Sequence, residues 1–395
     1  MTTVIKNACP VIPGADLCKR DIVIKDGVIA AVGTDDILED AQIIDANDCY
    51  VFPGFIDEHV HGGGGADFMD ASPEGFEIAV KAHLAHGTTQ LLPTAMTASQ
   101  NDLLAFVENF KKFKAKSKYG KNTPGIHLEG PYFSGANAKS TGAQKNELMR
   151  APTEEEIDTI LQATDGFLMR WDAAPEVDEK GIFAKKMKEN NIICSMAHSA
   201  ATSEQAQKGI DNGFSHVTHF YNAVTTYHKK DQTVCAGIVE AAYLNKDVFV
   251  EFICDGKHIP RDIMRLALMI KGEAQVLGIT DAMRIASTDL QSGKLGNKDI
   301  GTDVIVDDGV AKLPDKSSFA GSIATMDVCL RVLCRDYGFD VRTAAAMLSQ
   351  TPAQHLKLSD KKGRIAVGMD ADLVITDKNF NVKLVIFEGK DALCV

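Results

Sequence analysis

From residue 53 to about residue 280 the chain repeats one hydrophobic texture: a short apolar run, a polar or glycine-rich break, then a longer segment with apolar residues three and four apart. Runs at 55–60, 90–93, 125–128, 166–169, 192–197, 216–219, 248–253 and 276–279 have the length and character of buried strands. Segments at 74–86, 101–113, 153–162, 182–190, 203–212 and 261–270 carry the helical period. Eight strands, each followed by a crossover, predict an α/β fold, a (β/α)8 TIM-like barrel of about 250 residues with insertions. A doubly wound open sheet is the alternative, but neither G-x-G-x-x-G nor G-x-x-x-x-G-K-[ST] follows any of the strands.

The flanks have a different texture. Residues 1–52 read as short strands and tight turns, and 21–33 is a hairpin through Asp26-Gly27, a dipeptide that type I′ turns favour. Two helical segments, 326–337 and 341–348, follow the barrel, and strand texture returns at 363–376 and 383–389. Each terminal piece is too small to bury a core alone. Residues 1–52 and 356–395 are therefore expected to pair into one small β-sandwich beside a barrel of residues 53–355.

Composition narrows the function. The 395 residues are 45% hydrophobic and 24% charged, ordinary for a globular chain, and the net charge of −12 with no basic patch interleaved with aromatics excludes nucleic acid as a partner. The lysine-rich stretch 111–121 reads as the solvated end of a helix. No apolar run approaches the ~18 residues of a membrane span, and the first thirty residues lack the pattern of a secretory leader, so no membrane partner and a cytoplasmic location are expected. Nine scattered cysteines, odd in number and never in Cys-x-x-Cys, read as reduced thiols.

The chemistry begins at His59 and His61, which end an apolar run and precede four glycines, 62–65. Residues two apart on a strand share a face, so the two imidazoles point the same way. Downstream, Glu129 in Ile-His-Leu-Glu-Gly-Pro, His198 in Ser-Met-Ala-His-Ser, His219 in Val-Thr-His-Phe-Tyr-Asn-Ala and Asp281 in Gly-Ile-Thr-Asp-Ala-Met each close an apolar run and open a loop. The carboxyl ends of parallel strands are where such barrels place their active sites. Imidazoles with a carboxylate suit Zn²⁺ or Fe²⁺, and a glutamate between two ions can bridge them.

Eight motifs spanning nearly the whole chain carry a resemblance. They are Pro-Gly-Phe-Ile-Asp-x-His-x-His-Gly (53–62), His-Leu-Glu-Gly-Pro (127–131), Ala-His-Ser (197–199), His-Phe-Tyr-Asn-Ala (219–223), Cys-Asp-Gly-Lys-His (254–258), Thr-Asp-Ala-Met (280–283), Ala-Gly-Ser (320–322) and Gly-x-x-Ala-x-Gly-x-Asp-Ala-Asp-Leu-Val (363–374). The chain resembles the amidohydrolase superfamily and, within it, the N-acetylglucosamine-6-phosphate deacetylase family; other amidohydrolases usually carry a lysine where Glu129 stands. The resemblance implies that Glu129, His198 and His219 bind a principal divalent ion and that His59 with His61 holds a second, giving one or two ions of zinc, iron, cobalt or manganese per subunit. It implies hydrolysis of the acetamide of N-acetyl-D-glucosamine 6-phosphate to D-glucosamine 6-phosphate and acetate, in amino sugar catabolism, with Asp281 as the proton shuttle. It further implies substrate contacts from Ala143, Asn222, Ala223, His258, Phe319, Ala320 and Gly321, and a homodimer or higher homo-oligomer. Where the family commonly has a phosphate-binding arginine, residues 225–230 read Thr-Thr-Tyr-His-Lys-Lys; of His228, Lys229 and Lys230, the last is the expected phosphate ligand, a point charge in place of a fork.

A deacetylase for N-acetylgalactosamine 6-phosphate or another N-acyl amine is the alternative. A non-catalytic barrel should have lost ligands, and all six positions are filled. The other histidines are read as structural: His83 and His86 pack a helix far from any strand end, odd spacing sets His216 on the face opposite His219, and His355 has no visible partner. His127 shares a face with Glu129, so support of the site and plain barrel packing both remain open. Trp171 reads as core.

Overall fold

The computed structural model describes residues 2–33 and 41–393. Eight parallel strands, Phe55–Val60, Thr88–Ala95, Ile126–Glu129, Leu168–Ala173, Ile193–Met196, His216–Val217, Phe249–Ile253 and Val276–Ile279, hydrogen-bond in sequence order. The barrel closes where Val60 bridges Ala282 and the Asp281 N–H donates to the His59 carbonyl at 3.0 Å. Each strand falls on a run read from the sequence, but the fourth starts and ends later than 166–169. Asp165 and Gly166 take φ of 52° and 83° and terminate the preceding helix, so the glycine is a helix stop and not a strand start.

The crossover helices include Pro73–Ala85, Gln100–Lys116, Glu154–Thr164, Ile182–Glu189, Ser203–Asn212 and Arg261–Lys271. Four of these start on a hydroxyl cap: Ser72, Ser99, Thr153 and Thr202 each accept a backbone N–H from the first turn. Two insertions were not visible in the hydrophobic pattern. An exposed hairpin, His228–Lys230 with Thr233–Cys235, follows the sixth strand, and a three-stranded antiparallel sheet, Ser292–Leu295, Thr302–Asp307 and Val310–Lys312, follows the eighth. Their strands are short and mostly polar, so neither builds a recognisable period. The segment read at 341–348 runs on without a break through Thr351–His355, which brings His355 beneath the barrel.

The two chain ends do pair. Leu373–Thr376 lies antiparallel to Tyr50–Pro53, which in turn lies parallel to the end of Thr2–Pro10. The start of Thr2–Pro10 pairs with Arg20–Lys25, whose hairpin turns at Asp26 and Gly27 with φ of 50° and 82°, the two positive values of a type I′ turn. Ile5, Ile22, Ile24, Val51, Leu373 and Ile386 form the buried core of this unit, separate from the barrel's.

Candidate active site

His59 and His61 lie at the end of the first barrel strand and Glu129 ends the third. His198, His219 and Asp281 each stand two residues past the last residue of a strand, Met196, Val217 and Ile279, and each has a left-handed backbone, φ 44°, 30° and 49°. Such conformations are strained for residues with a side chain and cluster at functional sites. They also explain why the alternation argument about His216 fails. The strand stops at Val217 and the chain reverses at His219, so both imidazoles face the barrel interior, His216 at 2.9 Å from Ser195 Oγ.

The six side chains form two buried triads. Glu129 Oε1, His198 Nε2 and His219 Nε2 are 2.9, 3.1 and 3.2 Å apart. His59 Nε2, His61 Nε2 and Asp281 Oδ1 are 3.3, 3.5 and 3.2 Å apart. Tetrahedral bonds of about 2.0–2.1 Å separate donors by roughly 3.3 Å, so both triads fit a divalent ion. Glu129 Oε2 lies 3.4 Å from His61 Nε2, so one carboxylate reaches both.

The tautomers agree with that reading. His198 Nδ1–H donates to the Ser140 carbonyl at 2.9 Å, His219 Nδ1–H to the Asn222 carbonyl at 3.0 Å, and His59 Nδ1–H to Glu251 at 2.9 Å. Each partner is an acceptor only, so each Nε2 turns a lone pair to its triad. Without an ion, burial alone would raise the Glu129 pKa, but the contacts its carboxylate makes with the ring nitrogens of His198, His219 and His61 hold it well below the usual carboxylate range. Burial opposes charge on His219 too, yet Glu129 beside it raises that imidazole to about 9. A third cluster, Glu58, His216 and His355, is different. Glu58 already meets Arg170 at 3.2 Å and His355 Nδ1 at 2.9 Å, while His216 stands 3.9 Å away, which makes this an ion-pair network.

Above the triads opens a narrow cleft of about 130 Å³. Ala143, Asn222, Ala223, His258, Phe319 and Gly321 line it. His59 lies buried beneath, and Ala320 is buried behind its neighbours and does not line the cleft. Lys230 is not brought to the cleft: it stands exposed on the hairpin that leaves the barrel after the sixth strand. The lysine that lines the cleft is Lys139, in the short helix Ala138–Thr141 capped by Asn137. Gln144 also escaped the sequence reading, since no motif marks it. Its Nε2 donates to Glu129 Oε2 at 2.7 Å and its Oε1 accepts the Thr97 N–H at 3.0 Å, which fixes the carboxylate.

The remaining histidines have definite places. His83 is packed as expected but not far from a strand end: its Nε2–H donates to the Gly62 carbonyl at 2.9 Å, and a Cβ on Gly63 would come within 2.8 Å of that nitrogen. His355 has a partner, Glu58. His127 lies 2.9 Å from Asp172 and 3.2 Å from Thr94 Oγ1, with its ring edge-on to His59 at 4.8 Å, behind the donors.

Residues 50–391 match the model of the amidohydrolase family. The chain belongs to that family. It is 32% identical to the N-acetylglucosamine-6-phosphate deacetylase of Bacillus subtilis (strain 168), over 93% of this chain and 91% of the relative. It is 30% identical to the N-acetylgalactosamine-6-phosphate deacetylase of Escherichia coli O157:H7, over 93% of each. Its fold matches the crystal structure of N-acetylglucosamine-6-phosphate deacetylase from Pasteurella multocida with a TM-score of 0.90 at 27% identity, over 99% of this chain and 100% of that one. Buried groups of candidate metal ligands are in keeping with membership of that family.

Proposed function

We propose that this amidohydrolase cleaves the acetamide of N-acetyl-D-glucosamine 6-phosphate, giving D-glucosamine 6-phosphate and acetate. The observation that carries the reading is the pair of triads spanned by Glu129 on the floor of a cleft whose walls carry Asn222, His258, Phe319 and one lysine. Glu129, His198 and His219 would hold one divalent ion of zinc, iron, cobalt or manganese, and His59, His61 and Asp281 a second; bound there, such an ion would supply Lewis acidity to polarise an amide carbonyl and acidify water. Asp281 turns Oδ1 to the imidazoles, leaving its other oxygen to take a proton from the attacking water. The same carboxyl then returns the proton to the amide nitrogen as the C–N bond breaks, because an unprotonated amine is a poor leaving group.

At the outer end, the Phe319 ring, 4.7 Å from the His258 ring, offers an apolar face to the sugar. Lys139 meets the phosphate as a point charge in place of Lys230. The 30% identity to an N-acetylgalactosamine-6-phosphate deacetylase keeps the epimer as the one competing reading. Acetate release measured on both N-acetylhexosamine 6-phosphates and their unphosphorylated forms decides. The glucosamine 6-phosphate derivative should have the highest kcat/KM; a higher value for its epimer or for either unphosphorylated sugar would replace the reading.

A further inference from the structure

Beneath the donor atoms the barrel interior is charged. Arg170, fully buried on the fourth strand, meets Glu58 at 3.2 Å, Asp172 at 3.0 Å and Glu251 at 2.5 Å. Glu251 is also fully buried, on the seventh strand Phe249–Ile253. It touches one residue from each triad. Its Oε1 accepts from His59 Nδ1–H at 2.9 Å and from the His219 backbone N–H at 2.9 Å, while Arg170 donates to Oε1 at 3.1 Å and to Oε2 at 2.5 Å.

We propose that Glu251, braced by Arg170, is a positioning residue that couples the two ion sites. The proposal rests on the reading that both triads hold ions. On one side Glu251 fixes the tautomer and plane of the His59 ring, as carboxylates behind metal-bound histidines do. On the other it serves a backbone group that the sheet no longer serves. The sixth strand ends at Val217, and His219, at φ 30°, points its N–H into the barrel. The Glu251 oxygen satisfies that donor and holds the strained turn that aims the His219 side chain. A shift of this one carboxylate therefore moves a donor of each triad at once.

Glu251→Gln and Glu251→Asp test this. The first can keep its oxygen on the two histidine donors only by turning an NH₂ group against the Arg170 guanidinium, which removes the brace. The second keeps a charge for Arg170, so the fold survives, but is a methylene too short to reach both histidine contacts. Co²⁺ affinity should be measured in folded protein without substrate, by elemental analysis after dialysis against graded free metal and by the visible spectrum of the Co²⁺ protein. Both sites should weaken by about 10- to 100-fold. In turnover, kcat should fall with KM within about twofold, and excess metal should restore kcat, which a merely loosened fold would not allow. In a His59→Asn background, Glu251→Gln should still weaken the ion at Glu129, His198 and His219. Wild-type affinity at both sites in either folded variant would overturn the proposal, as would an unaltered Glu129 site in the double variant or a wild-type chain that saturates with a single ion. A wild-type chain that binds two ions but releases no acetate would instead sink the proposed activity and leave the coupling intact.

Discussion

Asp281→Asn separates catalysis from binding. The exchange preserves shape, and the backbone contacts that seat the residue do not involve its side chain: its N–H donates to the His59 carbonyl at 3.0 Å and its carbonyl accepts from the Ser322 N–H at 2.7 Å. The Gly321 backbone packs so close that a Cβ there would lie 2.9 Å from the same carbonyl, so the turn is held from both sides. Two things are lost, the proton acceptor and the third donor of the His59 and His61 triad. The triad of Glu129, His198 and His219 does not contain Asp281, so the principal ion should stay.

General acid–base catalysis contributes ~10² to 10⁴ in rate. One carboxyl serving both the attack and the departure belongs at the upper end, ~10⁴, or about 5.5 kcal/mol of transition-state stabilisation. The assay is steady-state acetate release with elemental analysis of the same sample. The expected outcome is a collapse of kcat by that factor, KM within a few-fold and at least one ion per chain. A variant that holds its ion and keeps more than about a tenth of wild-type kcat would refute the assignment. His127 could not then be the base, since it lies behind His59 and off the cleft and burial depresses its pKa to about 4; His258, which does line the cleft, would be tested next.

Three further outcomes follow from the geometry. Lys139→Ala should raise KM for phosphorylated substrates by roughly tenfold, the worth of one charged hydrogen bond, while Lys230→Ala should change it less than about twofold; the reverse pattern would restore the hairpin lysine. Chelation should abolish turnover and zinc, iron, cobalt or manganese should restore it; because His219 titrates near 9 in the ion-free protein, ion loading should expel protons and weaken as pH falls below that value, as calorimetry in buffers of different ionisation enthalpy would show. Burial depresses the His83 pKa to about 4, against ~6.5 in an unfolded chain, so between those values the unfolded state binds a proton that the folded state does not, and stability should drop by about 1.4 kcal/mol per pH unit as pH falls from 6.5 to 4. His83→Gln, which keeps a donor for Gly62, should flatten that limb in denaturant titrations, and an unchanged slope would remove His83 from the account.

The barrel was legible because parallel strands are covered on both faces and read as apolar runs. Leu168–Ala173 shows where this breaks down: Arg170 and Asp172 interrupt the run, since alternate residues of that strand feed the charged network and not the core. The donors were legible because each sits where an apolar run meets a loop. The alternation rule misplaced His216 because a two-residue strand ending in a left-handed turn has no alternation to obey. Lys230 and Lys139 show a further limit. Nearness in sequence to the Asn222-Ala223 motif suggested the first, but chain distance says nothing about a hairpin that folds outward, and no pattern marks a lysine in a four-residue helix.

Charge balance ties the network under the site to the site itself. Glu58, Glu129, Asp172, Glu251 and Asp281 are all buried in or at the mouth of the barrel, against the single guanidinium of Arg170. Five carboxylates and one arginine leave four negative charges, a burden no dry interior holds uncompensated. Without ions, protons must share that burden, and Glu129 and Asp281 do raise the pKa values of the imidazoles between them, His219 to about 9 and His61 well above its ordinary value, against the effect of burial. On the proposed reading, two divalent ions held by the triads would carry the four missing charges where those protons are. The arginine network and the triads are then one electrostatic unit: Arg170 holds Glu251 and Asp172 ionised at the base, Glu251 hands that fixed negative end to His59 and His219, and ions bound in the triads would complete the neutralisation at the top.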